Sequence, residues 1–215
     1  VAVTGSVGKS TTKEMIAAVL GSTFRVSKTP ANHNNDIGMP MAILSMPLDT
    51  EVAVLEMGMN HFREIAYLTA IAKPDIGVII NIGTMHIEHL GSMEGILRAK
   101  LEILDGMPSD GKIILNGDDS LLWNQRDTLN REVVYFGVQN PECTVLGQEV
   151  SQGKETLSFL AKRDSHNACF EVACHTYDDS INVSNSKAGD NLDICYVSTL
   201  AHGQKCCCII YKKRC

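Results

Sequence analysis

The first twenty residues, VAVTGSVGKSTTKEMIAAVL, constrain the fold more than any other stretch of the chain. Val1, Ala2 and Val3 read as the end of a buried strand, and Lys13–Leu20 carries a helical pattern. Between them Gly5 and Gly8 permit backbone angles that other residues resist, so that successive N–H groups can point into one concavity. The start of the following helix adds partial positive charge, which makes the turn an anion site. Lys9 is placed to reach outer phosphates, and the Ser10 hydroxyl to ligate Mg²⁺. The general phosphate-loop pattern is G-x-x-x-x-G-K-[ST], and Val3 stands at its first glycine position. An ordinary glycine-containing turn is the alternative. The order strand, glycines, Lys-Ser, helix favours a nucleotide phosphate.

A strand feeding a helix through such a turn belongs to α/β proteins, and the chain continues in that style to about residue 137. Strands are expected at Val1–Val3, Phe24–Val26, Val52–Leu55, Ile76–Ile80, Lys112–Leu115 and Val133–Phe136. Helices are expected at Lys13–Leu20, Phe62–Ala72 and Glu94–Leu104, with a shorter one near Ser120–Arg126. This alternation predicts a doubly wound, mostly parallel sheet with helices on both faces and ligands outside the carboxyl ends of its strands. Residues 138–162 read as a small antiparallel excursion. Beyond Lys162 no period of 2 or 3.6 is sustained, so residues 163–215 are expected to form an irregular tail, either a non-native reading frame or a divergent, weakly packed end.

At 215 residues there is ample material for a core. The net charge of −6 and the lack of any basic, aromatic-interleaved block argue against nucleic acid binding. No apolar run is long enough to span a bilayer and no leader is evident, which predicts a soluble, cytoplasmic protein; a monomer is expected. The chain starts inside a strand, as a piece cut from something longer would. All eight cysteines lie at or after Cys143. Cys169, Cys174 and His175 raise zinc, but no second pair has ligand-like spacing.

Four further segments carry polar chemistry at strand ends. EVAVLEMGMNH puts Glu56 just past a buried strand, where a carboxylate is costly without a partner; it is either a metal-holding acid or a solvent-facing one. Gly58 beside it permits close backbone approach. IGVIINIGTMHIEHLGS ends in a loop with His86, Glu88 and His89, which alone read as ordinary loop residues or as ligands. LRAKLEIL places Lys100 on a helix among apolar neighbours; it is a solvated lysine, or a desolvated one able to take up CO₂ as a carbamate. TPANHNNDIGMP, with Asn34 and Asn35, is a plain turn-rich loop or a donor–acceptor surface for a polar substrate.

In combination and in order, VAVTGSVGKST, HNNDIGMP, LEMGMNHFREIAYLT, NIGTMHIEHLGS, RAKLEI and LNGDD resemble the central ATP-binding domain of the Mur ligases, over residues 1 to about 160. The resemblance implies that Gly5, Ser6, Val7, Gly8, Lys9, Ser10 and Thr11 cradle the phosphates of ATP. It implies that Ser10, Glu56 and His86 hold Mg²⁺, with Ser10 where the family more often has threonine. Lys100 matches the family's carbamylated lysine, which supports a second Mg²⁺, and Asn116 a residue near the nucleotide base. Lys9, Lys100 and His86 would thus serve catalysis, while Asn34 and Asn35 would face the acceptor substrate.

Within the family the motifs are most similar to the member that joins D-Ala-D-Ala to UDP-MurNAc-tripeptide. There ATP phosphorylates a carboxylate, and the amine attacks the acyl phosphate. Flanking domains for the sugar nucleotide and for closure over ATP are expected and not recognisable here. A folylpolyglutamate or other Mur-type ligase, a P-loop small-molecule kinase or GTPase, and an inactive ATP-binding fragment are the alternatives.

Overall fold

The computed structural model describes the backbone of residues 1–152, 156–163, 166–174, 181–187, 194–201 and 204–211, and the side chains of 1–151 and 158–163. A ten-stranded sheet runs through the fold. Its strands are β1 (Ala2–Thr4), β2 (Val26–Lys28), β3 (Val52–Glu56), β4 (Ile76–Ile79), β5 (Lys112–Asn116), β6 (Val133–Gly137), β7 (Val145–Gln152), β8 (Thr156–Arg163), β9 (His166–Cys174) and β10 (Ile181–Lys187). They lie in the order β10-β9-β8-β7-β6-β5-β4-β1-β3-β2. All pairings from β2 to β7 are parallel, and those from β7 to β10 are antiparallel. The doubly wound parallel sheet is therefore present, and the antiparallel excursion begins where expected, with β7 against β8. That ladder continues through β9 and β10. Strands β11 (Ile194–Ala201) and β12 (Gln204–Tyr211) form a separate antiparallel pair. The side chains of Cys169, Cys174 and His175, raised as zinc ligands, lie outside the described residues.

Alternation along each parallel strand explains the two cores. Val3, Val54, Val78, Ile80, Ile114 and Phe136 point to one face, where they meet Met15, Ile16 and Leu20 of helix α1 (Lys9–Gly21). Ala2, Leu55, Ile79, Ile113 and Leu115 point to the other, against Ile65 and Leu68 of α3 (Glu64–Ala72) and Ile96 and Leu97 of α5 (Met93–Leu101). A period of two places successive residues on opposite faces, and helices cover both, so these strands read as nearly continuous apolar runs. Each such aliphatic side chain contributes roughly 1.5–3 kcal/mol on burial, enough to set the register of every strand.

Several boundaries differ from the expectation. Strand β2 covers Val26–Lys28 rather than Phe24–Val26, because Val26, Ser27 and Lys28 are the residues that pair with Val52, Ala53 and Val54. Phe24 instead closes the end of α1, its N–H donating to Leu20 O at 2.9 Å. Helix α1 begins at Lys9, one turn before the apolar period is visible. The expected helix over Glu94–Leu104 divides into α5, capped by Ser92 accepting from Gly95 N at 3.1 Å, and a 3₁₀ turn at Glu102–Gly106. The short helix near Ser120–Arg126 is α6 (Ser120–Trp123), capped by Asp119.

The last three residues of the asparagine-rich loop, Gly38, Met39 and Pro40, belong to a helix, α2 (Gly38–Leu44). Asn35 Oδ1 accepts from Gly38 N at 2.7 Å, and Pro40 falls in the first turn, where its missing N–H is not needed. One more short helix, α4 (Ile87–Leu90), follows His86.

Candidate functional site

The sheet reverses direction of growth at β1, which lies between β4 and β3. Ligands in open parallel sheets bind at such a point, outside the carboxyl ends of the strands. The ends of β1, β3 and β4 all open there.

After β1 the chain turns through Gly5–Gly8 and enters α1. Gly8 sits at φ 82°, a left-handed conformation that costs glycine nothing and opposes any residue with a Cβ. The side of the turn facing β4 is closed by hydrogen bonds. Ser6 N and Val7 N donate to Asn81 Oδ1 at 2.9 and 3.0 Å, and Asn81 Nδ2 donates to Val7 O at 3.0 Å. On the other side the amides of Lys9, Ser10 and Thr11 have no acceptor among the described residues, as the first turn of a helix leaves them. The single concavity expected from the glycines is thus divided. Two amides stabilise the turn, and three at the helix start are open to an anion. Lys9 Nζ folds back over the turn, donating to Gly5 O at 3.0 Å and Ser6 O at 3.4 Å. Burial lowers its pKa, partly offset by the charge of Glu56.

At the end of β3, Glu56 is 1% exposed. Its N–H donates to Thr29 Oγ1 at 3.0 Å, and its Oε1 accepts from Asn34 Nδ2 at 2.8 Å. Oε2 has no hydrogen-bond donor, and its nearest cation is Lys13 Nζ at 3.6 Å. Lys13 Nζ donates to Ala31 O at 2.7 Å and lies 3.4 Å from Glu14 Oε1, while Glu14 in turn pairs with Lys28. Gly58 is required by this arrangement. Its N–H donates to Asn34 O at 2.8 Å, and a Cβ there would stand 2.8 Å from Asn34 Oδ1.

A cavity of about 130 Å³ lies over the strand ends, lined by Gly5, Ser6, Lys9, Asn34, Asn35, Gly58, Met59, Asn60, His86 and Lys100. Lys100, on α5, is 3% exposed. Burial, and secondarily the charge of Lys9, pulls its pKa down to about 7. His86 reaches the rim from a left-handed backbone, φ 65°, immediately before α4. A non-glycine residue held there by its surroundings is a common mark of a functional position.

Eight of the residues singled out in the sequence therefore share one cavity: Gly5, Ser6, Lys9, Asn34, Asn35, Gly58, His86 and Lys100. Val7, Gly8, Ser10, Thr11, Glu56 and Asn116 do not line it. Ser10 is exposed on the first turn of α1, and Glu56 adjoins the cavity through Asn34. Asn116 is engaged internally: Nδ2 donates to Ile80 O at 3.0 Å, and Oδ1 accepts from Asp118 N at 2.9 Å. The asparagines expected to face a substrate also brace the protein, Asn34 on Glu56 and Asn35 on α2.

Sequence reasoning missed Lys13, Thr29 and Asn81. Lys13 offered one signal, a lysine one helical turn after Lys9 and so on a similar face of α1.

No group of three or more His, Cys, Asp or Glu gathers among the described residues. The donor set still suits magnesium. Glu56 Oε2 is a buried carboxylate oxygen lacking any hydrogen-bond donor, so its lone pairs are available to a hard cation, and hydroxyl and phosphate oxygens complete such sites.

A family model described as the Mur ligase middle domain matches residues 3–189, and the chain belongs to that family. It is 48% identical over 162 residues to the UDP-N-acetylmuramoyl-tripeptide–D-alanyl-D-alanine ligase of Bacillus subtilis (strain 168), a match covering 75% of this chain and 35% of that protein. Among solved structures it resembles MurF from Acinetobacter baumannii, with a TM-score of 0.73 and 31% identity over 80% of this chain and 38% of that one. It also resembles the MurF ligase from Thermotoga maritima in complex with ADP, with a TM-score of 0.70 and 29% identity over 79% of this chain and 39% of that one. The chain spans about a third of the length of these relatives.

Proposed function

We propose that this chain forms the ATP-binding core of a ligase that adds D-Ala-D-Ala to UDP-MurNAc-tripeptide through an acyl phosphate. The observation that carries this reading is the cavity itself. Phosphate-loop Lys9, buried Lys100, His86 and the asparagine pair converge there from separate elements, beside a helix start with open amides. The same ligase is named among the relatives, and an ADP complex among the similar structures.

The reaction needs a carboxylate made electrophilic and two reactants held in line. Open amides at Lys9, Ser10 and Thr11 would bind phosphate oxygens, and Lys9 Nζ would leave Gly5 O and Ser6 O to neutralise charge on the transferring group. Ser10, Glu56 and His86 would hold magnesium. When bound, that ion would supply neutralisation of phosphate charge. Burial brings the pKa of Lys100 down to about 7, which favours the neutral amine, the form that adds CO₂; as a carbamate it would serve as a further anionic ligand. Asn34 and Asn35 would present amide groups to the acceptor. The placing of Asn116 near the base is supported by the resemblance alone.

Positioning can supply on the order of 7–11 kcal/mol of such a barrier, so ligation is expected to need the surfaces found in the other two thirds of the relatives. No helix among the described residues is long and apolar enough to cross a membrane. A cytoplasmic monomer acting on small molecules is part of the same proposal, supported by the water-soluble nucleotides involved. Calorimetric titration with a non-hydrolysable ATP analogue and Mg²⁺ tests the core claim on the chain itself. Saturable binding is expected, and none at all overturns it. With the flanking regions restored, phosphate release should require both UDP-MurNAc-tripeptide and D-Ala-D-Ala.

A further inference from the structure

We infer that Asn81 is a positioning residue that holds the phosphate-binding turn in its shape, and that Ser6 N–H and Val7 N–H bind Asn81 rather than nucleotide. The inference rests on the nucleotide reading above for its consequence, though not for its geometry.

Asn81 stands just beyond β4, the strand beside β1. Its carboxamide makes three hydrogen bonds to the turn. Oδ1 accepts from Ser6 N at 2.9 Å and Val7 N at 3.0 Å, and Nδ2 donates to Val7 O at 3.0 Å. The main chain repeats the contact, with Ser6 N also donating to Asn81 O at 3.2 Å. Two residues on, Gly83 N donates to Ser6 Oγ at 2.8 Å, and Ser6 Oγ lies 3.2 Å from Gly83 O. One side of the turn, at Ser6 and Val7, is bonded to the segment that follows β4. The side leading into α1 is left open.

The chemistry selects a carboxamide. The group must accept two N–H bonds and donate one within a single plane, reached by a one-carbon stem. Aspartate supplies the acceptors but no donor for Val7 O, and it adds a negative charge beside an anion site. Leucine has a similar shape and supplies neither. Without the clamp, Gly5–Gly8 has glycine freedom at both ends, and the amides of Lys9–Thr11 lose their fixed direction. Holding donors in place before the ligand arrives is what makes them effective, because no reorganisation is then needed on binding.

The test compares ¹⁵N-labelled wild type with Asn81→Leu and Asn81→Asp, all in the full 215-residue chain. Thermal unfolding establishes that each variant is folded. In ligand-free wild type the Ser6 and Val7 amides should exchange slowly. ATP analogue with Mg²⁺ should leave them unchanged while it shifts Lys9, Ser10 and Thr11. Asn81→Leu should expose the first two amides and weaken nucleotide binding on the order of 10- to 100-fold. Asn81→Asp should keep those amides protected yet bind more weakly than wild type, a split that a merely structural role would not produce. If Asn81→Leu fails to fold, the aspartate variant decides by the same two readouts. Unaltered nucleotide affinity in a folded Asn81→Leu, or direct shifts of Ser6 and Val7 amides by nucleotide in wild type, would overturn the inference. If wild type binds no nucleotide, the functional reading falls separately, and the clamp is judged by exchange at Ser6 and Val7 alone.

Discussion

Lys13 Nζ lies 3.6 Å from Glu56 Oε2, and the two side chains are 1% and 2% exposed. The pair joins three parts of the site. Lys13 belongs to α1, Glu56 to the end of β3, and Ala31, whose carbonyl accepts from Lys13, to the asparagine loop. A buried cation beside an oxygen with no hydrogen-bond donor compensates its charge without saturating it. Oε2 thus keeps lone pairs that no hydrogen bond occupies.

Breaking this pair from one side should be costly. Lys13→Met leaves Glu56 buried without its counter-charge, and a loss of about 3–5 kcal/mol in unfolding free energy is expected. Urea denaturation measures it. Adding Glu56→Gln to Lys13→Met should recover part of the loss, because the two residues are coupled. Strictly additive losses would show that the pair contributes nothing as a pair.

Glu56→Gln by itself should raise the Mg²⁺ concentration needed for nucleotide binding, since an amide oxygen replaces a carboxylate oxygen at Oε2. The substitution also deprives Lys13 of one of its two carboxylate partners, so unfolding of the variant must be followed alongside. Calorimetric titrations of ATP analogue at several Mg²⁺ concentrations supply the comparison. An unchanged Mg²⁺ dependence in a folded variant would make Glu56 a purely structural acid.

Lys100 should leave a signature in the pH dependence of stability. Its pKa falls from an ordinary 10.5 to about 7 on folding, because burial disfavours the charged form. Between those values the unfolded chain keeps a proton that the folded one has lost, so stability rises with pH across that window. Below about pH 7 both states are protonated and the burial penalty is present in full. Subtracting the profile of Lys100→Met from that of wild type should isolate a rise from about pH 7 upward. Carbon-13 NMR with labelled bicarbonate should also show a carbamate signal in wild type that Lys100→Ala lacks.

Lys9→Ala should weaken binding of an ATP analogue by one to two orders of magnitude, the scale of a charge-assisted hydrogen bond of about 1.5–3 kcal/mol. Fold stability should change little, since the two carbonyls that Lys9 contacts in the ligand-free turn belong to residues that line the cavity. Equal affinity in wild type and variant would remove Lys9 from the phosphate site.

Much of this protein was legible along the chain. The strand, glycine turn and Lys9 at a helix start announce a phosphate loop. The apolar runs around Val54, Val78 and Ile114 announce parallel strands covered on both faces. The sequence left Lys100 open between a solvated lysine and a desolvated one, and the structure buries it. Helix α2 was less legible, because its start is set by the Asn35 side chain and it contains a proline. Beyond residue 162 no period is visible, although described backbone there lies in strands.

What the sequence by itself determined is which segments bury which face, and hence that polar residues at strand ends must crowd one edge of the sheet. A repeat of two or 3.6 residues is a local property, and burial enforces it locally. Only the tertiary structure decided the partners: Asn81 on a turn 74 and 75 residues earlier, Asn34 on Glu56, and Lys13 between Ala31 and Glu56. Each of these depends on strand order, with β4 and β3 flanking β1. A polar side chain shows in sequence what it can donate or accept, while its partner is whichever group the sheet brings within about 3 Å.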